Sequence, residues 1–280
     1  MASVIAAQLY TLRDFCKTPA DIARTFKRVR EIGYEAVQAS ALGPIDPKEL
    51  RKLLDDNGLV CCATHVRGNL QTDFDAIIEE HKTLGCKYPA LGSMPGTYQQ
   101  QGKQGYLTFA KEQNELARKF QQHGMVWGYH NHSFEFEKFD GKTGLDLLIE
   151  NADPAWTFEI DTYWVQHGGA DPAAYIRKLK GRIPLVHFKD MVIGYDKHSK
   201  APAQVAGESD EDYKKRSAFA TGRKQLMAEV GEGNLNWPSI LQACKDAGVE
   251  WYIVEQDVCQ RDPFESLAIS LRNLKAMGLK

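Results

Sequence analysis

The chain of 280 residues lacks the patterns of several special protein classes. Its six cysteines show neither the close, even spacing of a disulfide scaffold nor a CxxC pair, so we expect reduced thiols. No apolar run approaches the ~18 residues that a membrane helix needs. The first residues lack the basic and apolar regions of a signal peptide. A cytoplasmic location without a membrane partner is therefore expected.

The sequence also lacks an excess of either charge. Lys and Arg total 35 and Asp and Glu total 37, which gives a net charge of −2. Because nucleic-acid binding normally needs a basic surface, we expect no nucleic-acid partner. A hydrophobic fraction of 43% suffices for a sizeable core. With this length, it predicts a single α/β domain over residues 1–280.

Short apolar runs alternate with amphipathic segments along the whole chain. The predicted strands are residues 5–9, 36–39, 60–65, 90–92, 126–130, 157–161, 185–188 and 251–255. The predicted helices are residues 18–32, 47–57, 73–84, 106–123, 144–151, 172–180, 238–247 and 263–277. Several begin at Asp-Pro and several end at Gly, which are helix-capping signals. This βα repeat predicts a closed (β/α)8 TIM barrel, and no GxGxxG follows the first strand to favour an open sheet.

Residues 191–230 break this pattern, because they are polar and show no clear periodicity. Loops of this length in a compact domain are usually functional or disordered. The segment follows the strand that carries His187, so we expect it at the same end of the barrel as the candidate site. It acts there as a lid or as a contact in a homo-oligomer, or it is a solvated surface excursion.

Four predicted strands end in groups that bind metals, and parallel barrel strands all end at one face. These groups are Tyr-His-Asn-His at residues 129–132, Glu-Ile-Asp at 159–161, Val-His-Phe-Lys-Asp at 186–190 and Val-Glu-Gln-Asp at 254–257. Imidazole nitrogen with carboxylate oxygen suits Mn²⁺, Zn²⁺, Fe²⁺ or Co²⁺, while an all-oxygen set would suit Mg²⁺ or Ca²⁺. We therefore expect one divalent transition-metal ion, with Mg²⁺ less favoured.

Further polar and flat side chains lie near the predicted strand ends. His65 ends the third strand and Arg67 follows it, so either could contact a substrate oxygen, while His65 alternatively makes a structural hydrogen bond. Glu135 follows the histidines and is either a catalytic acid or a solvated loop residue. Trp127 and Trp164 either offer flat walls for a sugar ring or pack in the barrel.

The order of these motifs resembles the sugar phosphate isomerase/epimerase family, the xylose isomerase-like TIM barrels. The resemblance covers essentially the whole chain and rests mainly on residues 8–10, 129–132, 187–190, 230–237 and 254–257. It implies that Asp161, His187 and Glu255 hold a divalent metal, which polarises a ketose carbonyl and its neighbouring hydroxyl. Glu232 in the Gly-Glu-Gly loop and Trp164 are then expected to contact the substrate.

The chain departs from the family at His130, which stands where the family has its first ligand Glu. Either His130 binds the metal, or Glu135 reaches it from the loop, or the metal has three protein ligands. Family 3-epimerases use two carboxylates to remove and return a proton, and an imidazole retains proton abstraction but not that symmetry. The expected catalytic residues are Glu255, His130, His132, Glu135 and Lys189.

The resemblance implies an isomerase or epimerase that acts on a sugar or keto-sugar through an enediolate. The alternative is a lyase or dehydratase of a keto-cyclitol or 3-keto-glycoside, in which a histidine protonates the leaving oxygen. An endonuclease IV-like nuclease is less favoured because the chain is not basic. A non-catalytic metal-binding subunit is less favoured because three of the ligands match.

Overall fold

A computed structural model describes residues 4–196 and 199–279 and confirms the predicted TIM barrel. Eight parallel strands close on themselves, with the last strand paired to the first through Val254 and Ala7. The strands are β1 (Val4–Gln8), β2 (Ala36–Ala39), β3 (Val60–His65), β4 (Tyr88–Leu91), β5 (Gly128–His130), β6 (Thr157–Asp161), β7 (Leu185–Phe188) and β8 (Trp251–Val254). Helices cover their outer faces, which explains why the runs are apolar without alternation.

Several helices of the outer ring begin or end at predicted capping residues, such as Asp46, Asp262 and Gly33. Asp46 and Asp262 each accept hydrogen bonds from two backbone N–H groups of the first helical turn. The α-helices are Pro19–Ile32, Pro47–Asp56, Phe74–Leu84, Gly96–Gln99, Gly102–Gln122, Gly144–Asn151, Thr162–His167, Pro172–Lys178, Asp210–Thr221, Trp237–Ala247 and Pro263–Ala276. Short 3₁₀ helices cover Leu9–Phe15 and Phe134–Phe136, and Lys138–Phe139 pairs with Lys142–Thr143 in a small hairpin.

The segment predicted as a long loop contains regular structure. Asp190–Tyr195 pairs antiparallel with Arg223–Ala228, and Asp210–Thr221 forms a helix between these strands. Residues 197–198 of this segment lie outside the described residues. The helix has no buried residue, so its sequence carries no apolar period that would have predicted it. We call residues 190–228 the β7 insertion.

The main core fills the space between the barrel and the helices. Trp127 is completely buried there, stacks on Phe120 at 4.7 Å between ring centroids, and donates its indole N–H to Gln113. It is therefore a packing residue and not a wall of the site. All six cysteines are free, as predicted. Among the described residues, no helix combines the length and apolarity needed to cross a bilayer.

Candidate metal centre

Four buried side chains converge at the ends of barrel strands β5 to β7 and just beyond β8. They belong to His130, Asp161, His187 and Glu255, and one ligand atom from each lies within 4.8 Å of all the others. The set corresponds to one of the alternatives that the sequence left open, in which His130 takes the place of the family's carboxylate. Two imidazole nitrogens with two carboxylate oxygens form a donor set that suits a divalent transition metal.

Hydrogen bonds fix the ring of His130 and one oxygen of Asp161. The Nδ1 of His130 lies 3.0 Å from the carbonyl oxygen of Gly92, and in the neutral ring a proton on Nδ1 leaves the lone pair on Nε2. This Nε2 lies 3.2 Å from Asp161 Oδ2. The other oxygen, Oδ1, accepts from the backbone N–H of Trp164 and caps the helix there. One imidazole nitrogen and one carboxylate oxygen are thereby left for a metal.

His187 and Glu255 meet inside the same cluster. The Nδ1 of His187 lies 2.7 Å from Glu255 Oε2. Yet neither atom has a hydrogen bond of acceptable geometry within the described part of the chain, and both are buried. Glu255 Oε2 also lies 2.8 Å from the Lys189 ammonium nitrogen, so this oxygen already faces a cation, as it would in a metal site. The residues present therefore fit a divalent metal.

The electrostatics of the cluster keep its imidazoles in different states. Burial and the nearby His187 lower the pKa of His130, which keeps that imidazole neutral. Burial alone would lower the pKa of His187 as well, but Glu159 and Glu255 raise it to about 10. Since a metal ligand must offer a lone pair, metal binding has to displace the proton on its Nδ1.

Lys189 brings a positive charge to the same carboxylates. Its ammonium nitrogen lies 3.0 Å from Asp161 Oδ2, 2.8 Å from Glu255 Oε2 and 3.0 Å from Asp257 Oδ1. Burial would lower the pKa of Lys189, but these three carboxylates hold it well above its ordinary value. The side chain is therefore charged and acts as a cation, not as a nucleophile.

A second polar layer lies in the barrel interior beneath the cluster, and the sequence interpretation missed it. Its centre is Glu159, which is completely buried and lies within hydrogen-bonding distance of His65, His187 and Gln38. A signal was present in the sequence, because residues two apart in a strand point in the same direction. Glu159 therefore lies one layer below Asp161.

A cavity of about 330 Å³ opens above the metal cluster. Its lining includes five of the predicted site residues, namely His65, His130, His132, Lys189 and Glu255, together with Tyr10, Ser40, Gly92, Ser93 and Asp257. This places the substrate side of the site at the carboxyl ends of the strands, as in other TIM barrels.

The ring of His132 lines this cavity, but its Nδ1, which has no hydrogen-bond partner among the described residues, is buried. Burial, followed by the charges of His130 and Lys189, lowers the pKa of His132 to about 3, so the ring is neutral near neutral pH. Trp164 lies against it, with 5.4 Å between ring centroids. The His132 ring therefore lacks the proton that would prevent it from acting as a base.

Glu135 lies outside both the metal cluster and the cavity lining. Its Oε1 accepts from the Tyr129 hydroxyl at 2.5 Å, and its Oε2 accepts from the backbone N–H of His132 at 2.9 Å. These contacts do not support the hypothesis that Glu135 supplies the fourth ligand, since both of its oxygens are engaged by Tyr129 and His132. Burial raises the pKa of Glu135 to about 7. Its contacts hold the loop that carries His132.

Arg67 and Glu232 do not line the cavity. The guanidinium of Arg67 donates to Glu80 at 2.9 Å and to the carbonyl of Gly43 at 3.2 Å. Glu232 pairs with Arg261 at 3.0 Å on the outside of its loop. Ion pairs and backbone acceptors hold both side chains, and no spacing in the sequence distinguishes this from substrate contact.

The Gly-Glu-Gly motif forms an anchored loop. The Asp190 carboxylate accepts from the backbone N–H groups of Gly231, Gly233 and Leu235 and from the indole of Trp237. A Cβ atom at position 233 would collide with the Asp190 carboxylate, which explains the glycine there. These two motifs of the resemblance therefore contact each other, and Asp190 acts as a structural clamp.

Comparisons with known proteins agree with this architecture. An inosose dehydratase of Mesomycoplasma hyopneumoniae is 24% identical over 299 residues, covering 98% of this chain and 95% of the relative. An inosose dehydratase of Lacticaseibacillus casei is 25% identical over 261 residues, covering 83% of this chain and 82% of the relative. The crystal structure of a sugar phosphate isomerase/epimerase from Parabacteroides distasonis superposes with a TM-score of 0.75 at 22% identity, covering 100% of this chain and 96% of that one. This structural likeness shows the shared fold.

A family model provides the assignment, because it spans most of the chain. The model described as the xylose isomerase-like TIM barrel matches residues 26–277, which include every residue of the metal cluster. The protein belongs to the xylose isomerase-like TIM barrel family.

Proposed function

We propose that the protein is a metal-dependent dehydratase that removes water from a polyhydroxylated cyclic ketone of the keto-cyclitol class. The observation that carries this proposal is His132, a neutral imidazole whose ring lines the cavity beside the metal cluster. The similarity to inosose dehydratases over nearly the full length supports the same substrate class. An isomerase or epimerase was the first expectation from the sequence, and it becomes the second candidate.

Dehydration next to a ketone needs a base for the α-proton and an acid for the β-hydroxyl. His132 removes the proton from the carbon beside the carbonyl, and the C–H electron pair moves into an enolate. The enolate then expels the β-hydroxyl, which takes the proton from the His132 imidazolium and leaves as water. His132 returns to its neutral form, so one residue performs both transfers.

The remaining cavity residues stabilise the enolate and orient the substrate. A divalent ion held by His130, Asp161, His187 and Glu255 would supply a Lewis acid for the ketone oxygen. Lys189 places an ammonium on the cavity wall, where it offsets the negative charge of the enolate. Its nitrogen also lies 5.7 Å from the ring centroid of Trp164, which packs beside His132 and is not among the residues that line the cavity.

One arrangement favours epimerisation as the second candidate. His132 follows β5, whereas Asp257 follows β8, and strands β6 and β7 separate these two in the barrel. Both residues line the cavity. Two proton-transfer groups on different walls would allow a proton to leave one face of a carbon and return to the other.

Product analysis distinguishes the two reactions. The Co²⁺- or Mn²⁺-loaded protein is incubated in deuterated water with a panel of inososes, ketoses and 3-keto-glucosides, and products are followed by mass spectrometry. Dehydration removes one water from an inosose, whereas epimerisation keeps the composition and exchanges one hydrogen for deuterium. His132→Gln should lower kcat by ~10²–10⁴-fold. The control His123→Gln should retain activity, because His123 is an exposed residue at the end of the helix Gly102–Gln122 and does not line the cavity. Exchange without loss of water from any substrate would reject the dehydratase proposal.

A further inference from the structure

Glu159 has the contacts expected of a residue that acts through a metal ligand. It lies on β6 two residues before Asp161, is completely buried, and does not line the substrate cavity. Its Oε1 lies 3.0 Å from His187 Nε2, on the side of the ring opposite to the nitrogen that faces Glu255. A carboxylate on the far nitrogen of a ligand imidazole fixes the tautomer of the ring and raises its basicity.

Two glutamines complete the environment of this nitrogen. Gln38 donates its amide to Glu159 Oε1 at 2.9 Å, and its own oxygen lies 2.6 Å from His187 Nε2. Gln8 donates to the same Gln38 oxygen at 2.7 Å, and this hydrogen bond fixes the orientation of the Gln38 amide. His187 Nε2 therefore faces two acceptors and must carry a proton. The lone pair of the metal-binding form is then on Nδ1.

The second oxygen of Glu159 contacts His65, a residue that lines the cavity. Glu159 Oε2 lies 2.8 Å from His65 Nε2, and the His65 ring lines the cavity and lies 5.5 Å from the His187 ring, centroid to centroid. The carboxylate thus bridges one imidazole of the metal cluster and one of the substrate cavity. His65, expected to bind substrate, is oriented by the same group that orients a metal ligand.

We propose that Glu159 is a positioning residue that serves as the third carboxylate of the metal centre, acting through the His187 imidazole. The resemblance to relatives predicts a Glu at position 130, where this chain has a neutral His. Only Asp161 and Glu255 then carry negative charge in the ligand set. Glu159 restores a third negative charge one imidazole away, and it also orients His65. This inference rests on the proposed metal centre.

The first test is metal affinity in Glu159→Gln, which keeps the shape of the side chain and removes its charge. Titration of the metal-free protein with Co²⁺, followed by visible absorption and chelator competition, should show a Kd raised by ~10–100-fold. Glu159→Asp keeps the charge and should recover part of the affinity. Glu229→Gln is the matched control, because Glu229 is also a buried Glu but contacts Ser266 and Arg261 instead. Its Kd should equal that of the wild type.

The second test needs no variant and remains valid if Glu159→Gln does not fold. Long-range ¹⁵N–¹H NMR spectra of the Zn²⁺-loaded wild type should show His187 protonated at Nε2 and ligated through Nδ1. Ligation through Nε2, or equal Kd values in wild type and Glu159→Gln, would overturn the role of Glu159 while leaving the proposed function intact. A wild-type protein that binds neither Co²⁺ nor Zn²⁺ would overturn both.

Discussion

The ammonium nitrogen of Lys189 lies 3.0 Å from Asp161, whose carboxylate also belongs to the metal-ligand cluster. The same nitrogen lies 2.8 Å from Glu255, a second member of that cluster. A side-chain cation therefore lies against the same carboxylates that a divalent ion would bind. The ion and the ammonium compete for the same negative charge.

Lys189→Met should make the stability of the protein depend on metal. Removal of one partner of a buried ion pair costs ~3–5 kcal/mol, because it leaves buried charge uncompensated. We expect a lower Tm for the metal-free variant, tighter binding of Zn²⁺ than in the wild type, and recovery of most of the Tm once Zn²⁺ is bound. Thermal denaturation with and without the ion measures this.

A control for this prediction comes from a solvent-exposed ion pair. Lys178→Met breaks the pair of Lys178 with Asp146, which lies at 2.6 Å on the surface. Such pairs contribute ~0–1 kcal/mol, so neither the Tm nor its dependence on Zn²⁺ should change much. An equal loss of Tm in Lys189→Met with and without Zn²⁺ would show that the ammonium does not compete with the metal.

His130 should be required for metal binding, since its Nε2 would be the metal ligand in the position where the family has a carboxylate. His130→Ala should lose most of the metal and the activity together, whereas His130→Glu should keep the metal and change the pH dependence of turnover. Elemental analysis measures the metal content, and solvent-deuterium incorporation into substrate at several pH values measures the activity. His81→Ala is the matched control, because His81 is equally buried but bonds to Thr64 and the carbonyl of Ile77. Full metal occupancy in His130→Ala would show that His130 is not a required metal ligand.

The sequence predicted the barrel and the metal cluster because both follow from local signals. Strand ends of a parallel barrel share one face, so His130, Asp161, His187 and Glu255 could be grouped without a structure. The role of Glu159 depends on contacts with strands far away in the chain, such as the 2.8 Å distance to His65 on β3. No sequence period encodes such a contact.

Some of the expected site residues do not line the cavity, because side-chain direction in loops has no period. Glu135 turns back onto Tyr129 and the His132 backbone, away from the metal. Arg67 and Glu232 find ion-pair partners outside the cavity. Strand alternation fixes direction within a strand, but it gives no information once the backbone leaves the strand.

Glu135 should make the stability of the protein fall as pH rises. Its pKa is raised from 4.5 to about 7 by burial, so the folded state binds more protons than the unfolded state between these values. The stability that the protonated carboxyl provides is present below about pH 4.5 and is lost as pH rises through about 7. Glu135→Gln mimics the neutral form and lacks this dependence.

Urea denaturation of the metal-free proteins at acidic and at mildly alkaline pH measures this difference. Relative to the wild type, the unfolding free energy of Glu135→Gln should increase by up to ~3 kcal/mol across the interval. A constant difference between the two proteins at both pH values would contradict a raised pKa for Glu135.

The β7 insertion should be dispensable for the fold but not for function. Its helix Asp210–Thr221 buries no residue, and Phe219 on it is 88% exposed. The hairpin base contacts the site, because the backbone N–H of Asp257 lies 3.2 Å from Met227 Sδ. The outermost pair of the hairpin is Tyr195 with Arg223, so an Asn-Gly turn in place of residues 196–222 keeps that base.

We expect this replacement to change the unfolding free energy by less than ~1 kcal/mol, since it removes mainly surface residues. If the insertion is a lid, the turn replacement should lower kcat/KM without changing the oligomer size. If the insertion is a subunit contact, the replacement should reduce the oligomer size measured by light scattering. Phe219→Ser separates these roles, because loss of one exposed apolar side chain weakens an assembly surface and leaves the hairpin intact. If the turn replacement alters neither kcat/KM nor oligomer size, the insertion is a solvated excursion without either role.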